Sequence, residues 1–207
     1  MKLFYSPGAC SVGIHIVLEE IGKPFSLELV SLKEQAQNTP QFRALNPKGK
    51  IPLLQRDDGS LLGQYTAIAF WLAASNPEAG LWPTGLEAQT RALEFVDYIT
   101  GTVHPQGFTR QFRAGMFTPS EADQPKVVEQ GKALAAKCFE VIDSQWRGDT
   151  WVMPEGYGLA DSAMFFVSFW AIKRVGMPVP ARITAHYQAM LGRPAVQRAL
   201  AASGMAA

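Results

Sequence analysis

Apolar positions in the first third of the chain switch between the period of a strand and the period of a helix. Residues 2–5 form a short strand candidate, closed by the turn formers Ser6-Pro7-Gly8. From residue 10 to residue 21, Cys10, Ile14, Val17, Leu18 and Ile21 form an apolar stripe. Ser11, His15 and Glu19 form a polar stripe beside it, and Gly22 supplies the stop. That pattern predicts an amphipathic helix with His15 at the surface or in an interface. Phe25, Leu27 and Leu29 then alternate with Ser26 and Glu28, as in a half-buried strand. Strand, helix and strand in this order predict a βαβ unit with a parallel pair.

Polar sequence with a short helix follows to Leu45. Residues 51–54 and 61–62 read as two strands around the turn Asp57-Asp58-Gly59. A helix is predicted over 66–74, with Ile68, Trp71 and Leu72 on its apolar side. The turn formers from Asn76-Pro77 to Pro83-Thr84-Gly85 read as a linker. Beyond them the apolar spacing is helical over 86–103, 126–146, 159–175, 182–191 and 195–202. The expected architecture is a small α/β domain (1–76), a linker (77–84) and an all-α helical C-terminal domain (85–207).

Charge narrows the partners. Nineteen Lys/Arg stand against eighteen Asp/Glu. Residues 1–76 carry seven basic and six acidic side chains, and the remainder twelve of each. Neither part has the basic excess that phosphate backbones require, so no nucleic acid is expected. Two cysteines are too few for a disulfide framework or a four-ligand zinc site, and no metal is expected. The N-terminal residues lack the apolar core of a signal peptide. The longest apolar run, 162–172, is well short of the ~20 residues that cross a bilayer. A cytoplasmic protein with reduced thiols and no membrane partner is therefore expected.

Three places carry candidate chemistry. Cys10 follows Ser6-Pro7-Gly8-Ala9 and opens the first helix at the carboxyl end of the first strand, where helix-end amides favour an anion. No second cysteine follows to make a dithiol pair. Ile51-Pro52 opens a strand; a cis bond there would leave the backbone of Ile51 to pair with an extended peptide. His104 precedes Pro105, so a kink or a helix end is expected at residue 104. That kink lies beside Phe108, Phe112, Met116 and Phe117, an apolar wall with one polar group. His186 reads as structural. Gly158-Leu159-Ala160-Asp161 reads as half of an N-terminal capping box, with Asp161 a folding residue.

The ordered set of motifs resembles a bacterial glutathione S-transferase of the Beta class. It comprises Ser6-Pro7-Gly8-Ala9-Cys10, Asn46-Pro47-Lys48-Gly49-Lys50-Ile51-Pro52, Asp58-Gly59-Ser60-Leu61-Leu62, His104 with Gly107-Phe108, Leu159-Ala160-Asp161 and Arg193-Pro194-Ala195-Val196. The resemblance implies a thioredoxin-like N-terminal domain that binds glutathione as co-substrate, and a helical domain that holds a small apolar electrophile. Ile51, beside a cis Pro52, would pair with the cysteinyl part of glutathione, and Cys10 would sit near the glutathione sulfur. Lys33 would meet the glycine carboxylate. Phe108, Phe112 and Met116 would line the electrophile pocket, and His104 would face the active site. A detoxifying homodimer is implied as well.

Gln64-Tyr65 departs from the family pattern, which has an acidic residue and then Ser, Thr or Gly to receive the γ-glutamyl end. Gln64 accepts a hydrogen bond without charge, so weaker glutathione binding is expected. The extra residue in His104-Pro105-Gln106-Gly107-Phe108 leaves open whether His104 or Gln106 faces the site. Two other activities stay open: monothiol disulfide exchange or peroxide reduction through Cys10, and ligand binding without catalysis on the same scaffold.

Overall fold

The computed structural model describes residues 1–205. They form two compact units, one of Met1–Pro83 with the segment from Leu191 onward, the other of Thr84–Met190.

The first unit is built on a four-stranded sheet of order β2-β1-β3-β4. Strands β1 (Lys2–Tyr5) and β2 (Ser26–Leu29) pair in parallel, from Lys2 opposite Ser26 to Tyr5 opposite Leu29. Strand β3 (Leu53–Gln55) runs antiparallel to β1, with Phe4 opposite Leu53. It closes a hairpin with β4 (Leu61–Gly63), in which Leu53 faces Gly63. Asp58 accepts the Ser60 amide at 2.9 Å in the hairpin turn. On one part of the sheet Phe4, Val30, Phe42 and Leu53 form a buried cluster that Ile51 and Leu61 partly cover. The rings of Phe4 and Phe42 meet edge to face at 6.0 Å.

Helix α1 (Ser11–Ile21) ends at Gly22, whose left-handed backbone (φ 72°) lets its amide reach the Leu18 carbonyl. Helix α2 (Pro40–Leu45) is capped by Thr39, whose hydroxyl accepts the Phe42 amide at 3.3 Å. Helix α3 (Tyr65–Ala74) buries Ile68, Ala69 and Leu72.

In the second unit, helix α4 (Leu86–Tyr98) passes without a break into a π-helical stretch, Ile99–Phe108, and then into α5 (Thr109–Phe112). The break expected at His104 is replaced by a widened turn. Pro105 has no amide to donate, and the wider ring lets the Thr109 amide reach back to the His104 carbonyl. Helix α6 (Gln124–Ser144) crosses this stretch where Gly131 lies against Gly107. Helix α7 (Leu159–Phe169) is buried on all sides from Leu159 to Ser168. It continues as a π-helical stretch, Trp170–Val175, and helix α8 (Ala181–Leu191) follows.

The last helix, α9 (Pro194–Ala202), belongs with the first unit rather than with the other helices. Its apolar side, Ala195, Val196, Ala199 and Leu200, is buried, and it packs on α1. Two ion pairs hold that contact. Arg193 grips both carboxylate oxygens of Glu20 at 2.7 and 3.0 Å, and Arg198 meets Glu19 at 2.5 Å. The sheet and α9 together leave α1 without a solvent side at residue 15. His15 is 1 % exposed, so of the two placements its stripe allows, surface or interface, the surface one is overturned. Its ring packs against Tyr5 and Phe25 and lines a crevice of about 630 Å³. Burial pushes its pKa below 6.5, and Glu19, 3.5 Å away, opposes that shift.

Candidate active site

One edge of the sheet gathers most of the predicted site. Because β1 and β2 are parallel and β3 runs against them, the carboxyl ends of β1 and β2 share an edge with the start of β3 and the end of β4. Cys10, Lys33, Ile51-Pro52 and Gln64-Tyr65 all follow or precede strands at that edge.

The Cys10 loop is held from within. Gly8 takes a positive φ (67°), which suits a residue without a Cβ, and the Ala9 amide donates to the Ser6 carbonyl at 3.1 Å. The buried Ser11 hydroxyl accepts the Ser6 amide at 3.2 Å and donates to the Ser6 carbonyl at 3.3 Å. These bonds fix Cys10 at the start of α1, whose first turn carries no acidic side chain to cancel the helix dipole. The cysteine is 8 % exposed, and its sulfur reaches the Ile51 carbonyl at 3.9 Å. Sequence reasoning singled out Cys10 and Ile51 separately. The structure puts them in contact.

The Ile51-Pro52 peptide bond is cis. The loop before it rests on Asn46, a buried side chain that opens the Asn46-Pro47 motif. Its amide nitrogen donates to the Lys50 carbonyl at 2.7 Å, and its oxygen accepts the Lys48 amide at 3.2 Å. Arg43 adds a bond to the Pro47 carbonyl at 2.8 Å. The Asn-Pro pair was the available signal, since Asx side chains bond their own backbone two residues on.

Gln64 directly precedes α3 and has φ 80°, an uncommon backbone for a residue with a Cβ. Its carbonyl accepts the Ile68 amide at 3.0 Å and its side chain is exposed. Tyr65 next to it is only 6 % exposed, so its ring belongs to the interior and its backbone begins the helix. Lys33 is exposed on the segment after β2.

The second unit carries an aromatic wall. His104 is half-buried, with its ring 4.8 Å from Trp170 and 5.8 Å from Phe166. Gln106 is exposed. Phe108, expected to line the pocket, is fully buried between Phe139, Trp170 and Phe112, so it backs the wall instead of facing outward. Phe112 and Met116 are exposed, at 37 % and 67 %.

Away from the wall, Asp161 acts as its motif predicts and does more. One carboxylate oxygen accepts the Gly158 amide at 2.8 Å; the other accepts the Val152 amide and meets His186 Nε2, each at 2.9 Å. Asp161 and His186 are both buried, the latter against Trp146 and Trp151. Sequence spacing could not pair them, since 25 residues separate the two.

A βαβ-ββα sheet unit with a cysteine, a cis proline and a helix start at one edge, followed by a helical unit, defines a thioredoxin-like protein with a helical extension. Comparison with known proteins narrows this class. Residues 8–75 match the family model of the glutathione S-transferase N-terminal domain. The chain is 37% identical to glutathione S-transferase GstA of Escherichia coli O157:H7, over 99% of this chain and 100% of that protein. A glutathione transferase homolog from Sulfitobacter, solved with bound glutathione, superposes with a TM-score of 0.91 at 28% identity, covering 99% and 98% of the two chains. A beta class glutathione S-transferase from Sphingomonas chungbukensis does so with a TM-score of 0.85 at 28% identity over the whole of both chains. The chain belongs to the glutathione S-transferase family.

Proposed function

We propose that the protein joins the thiolate of glutathione to small apolar electrophiles, with the tripeptide seated at the sheet edge of the first unit. The contact between Cys10 Sγ and the Ile51 carbonyl carries this reading. It sets a thiol and an aligned backbone segment side by side at the start of a helix, as an extended cysteinyl peptide requires. Ile51, beside Pro52, pairs with the cysteinyl backbone. The α3 start at Gln64-Tyr65 receives the γ-glutamyl end, Lys33 meets the glycine carboxylate, and Cys10 lies near the sulfur. The positive φ at Gln64 supports its role, because strain of this kind persists where a site uses it.

The reaction needs little covalent chemistry from the protein. The tripeptide thiol gives its proton to water, and helix-end amides stabilise the anion. The thiolate then attacks the electrophilic carbon, a carbon–sulfur bond forms, and the leaving group departs with its electron pair. Phe112 and Met116 receive the electrophile, with Phe108 packed behind them and His104 as the polar group of the wall. The division of labour is residues 1–76 for the tripeptide and the helices after the 77–84 linker for the electrophile. A homodimer, a cytoplasmic location and a detoxifying role belong to the same proposal; they are supported by the relation to bacterial glutathione transferases.

Conjugation of 1-chloro-2,4-dinitrobenzene at millimolar glutathione tests the proposal, and a folded protein without turnover overturns it. The contact of Cys10 with Ile51 also suits a second reading, exchange of the Cys10 thiol with oxidised glutathione. Mass spectrometry then finds one glutathione adduct on Cys10; an adduct only on Cys138 refutes that route.

A further inference from the structure

Lys33 and Ile51, at the glycine and cysteinyl ends of the proposed tripeptide seat, lie on separate segments of the first unit. Lys33 sits in a turn that the Ala36 amide closes on the Ser31 carbonyl at 2.9 Å. Ile51 ends the loop that begins at Asn46. Both segments rest on one apolar cluster, where Ala36 and Ile51 pack against Phe4, Val30, Phe42 and Leu53. Apolar contact is non-directional and sets no exact spacing between them. Hydrogen bonds do. Gln35, at the end of the Lys33 turn, has φ 59°, and its side-chain oxygen accepts from Gln37 Nε2 at 3.2 Å and from Asn38 Nδ2 at 2.8 Å. Asn38 Oδ1 in turn accepts from Arg43 Nη2 at 2.9 Å, and Arg43 Nη1 donates to the Pro47 carbonyl at 2.8 Å. One guanidinium therefore bridges the Lys33 turn and the Ile51 loop. Gly49 makes room for it: its φ is 57°, and a Cβ there would stand 2.5 Å from Arg43 Cζ.

A planar guanidinium holds two acceptors at a set separation, which the single ammonium of a lysine cannot do. The bonds of Asn46 to the Lys48 amide and the Lys50 carbonyl stay within the loop, so they keep Ile51 in place whatever Arg43 does. The fork of Arg43 holds the other side, the turn that carries Lys33. We propose that Arg43 is a positioning residue that sets the distance from Lys33 to Ile51, and with it the preference for a thiol peptide that ends in glycine. This inference rests on the tripeptide seat proposed above. Loss of the fork weakens the hold on the glycine carboxylate and leaves the cysteinyl pairing at Ile51 as it is.

Two thiols test it by calorimetry on the full chain: glutathione, and γ-glutamylcysteine, which lacks the glycine. The parent should bind glutathione about tenfold more tightly than the dipeptide, as one charged hydrogen bond to the extra carboxylate implies. Arg43→Gln should cut that ratio about three- to tenfold through glutathione alone, with the dipeptide affinity changed less than about twofold. Arg43→Lys keeps the charge and loses the fork, so its ratio should fall with that of Arg43→Gln. Asn38→Ala cuts only the turn side of the bridge and should lower the ratio as well, which keeps the test valid if an Arg43 variant fails to fold. Four results overturn this inference alone: a parent with no preference for glutathione, an equal loss for both thiols, a ratio that neither Arg43→Gln nor Asn38→Ala reduces, or an Arg43→Lys protein that matches the parent. A folded parent that binds neither thiol overturns the tripeptide seat, and this inference with it.

Discussion

Replacing Gly131 with alanine should destabilise the protein, although helix propensity by itself says the opposite. In a helix interior, alanine is favoured over glycine by about 0.8–1 kcal/mol. Gly131 is buried where α6 crosses the π-helical stretch. A Cβ added there would stand 2.7 Å from the Gly107 carbonyl oxygen, 2.8 Å from Arg110 Cβ and 3.0 Å from Gln111 Cγ. The nearest of these is backbone and cannot rotate away. Overpacking of this kind costs about 1–3 kcal/mol, and contact with main chain puts it at the upper end. The net loss should be ~2 kcal/mol after the propensity gain. Gly101 is the control. It is exposed, its added Cβ would meet only the Asp97 carboxylate at 3.9 Å, and Gly101→Ala should gain up to ~1 kcal/mol. Urea unfolding read from tryptophan fluorescence should separate the two variants by about 1 M in midpoint, at slopes equal to the parent's. A Gly131→Ala protein as stable as the parent, beside a Gly101→Ala protein that behaves as expected, would refute the close approach of the two segments.

Further expectations follow from individual side chains. Gln64→Glu restores a charge at the γ-glutamyl end; calorimetry should find glutathione bound about five- to tenfold more tightly, the difference between a charged and a neutral hydrogen bond, and unchanged affinity would remove Gln64 from the site. Asp161→Ala leaves one buried amide, one half-buried amide and His186 without their acceptor and should cost about 3–5 kcal/mol in denaturant unfolding, so a loss below ~1 kcal/mol would contradict the hydrogen bonds described. His15 has a folded pKa below 6.5, so the unfolded chain binds its proton first as pH falls. Stability should therefore decline as pH drops below about 6.5, by no more than ~1.4 kcal/mol per pH unit, with no contribution from this group above it. In His15→Gln that component disappears; a stability difference between parent and variant that stays constant from about pH 7.5 to 5.5 would sink the assignment.

Much of the candidate site was legible because its parts are local. The turn at Ser6-Pro7-Gly8 ahead of Cys10, the strand opened by Ile51-Pro52 and the helix start at Gln64-Tyr65 are each a few adjacent residues with strong backbone preferences. The ordered motifs carried the family. Asn46 was visible in its motif, but not as the support of the loop, because its bonds run to backbone atoms whose positions depend on the fold. Ser11 sat on a polar stripe that gave no hint of its hydroxyl closing the Cys10 loop.

Periodicity in the sequence determined which segments are strands and which are helices, since that choice depends on neighbours three or four positions away. Burial was decided by partners far along the chain. His15 is enclosed because α9, nearly 180 residues later, packs on the helix that bears it. Phe108 turned out to be backing and Phe112 surface only once α6 and the Trp170 stretch had closed around them. The alanine test at Gly131 has the same origin: a residue's own helix sets its propensity, and the helix it crosses sets the space it has.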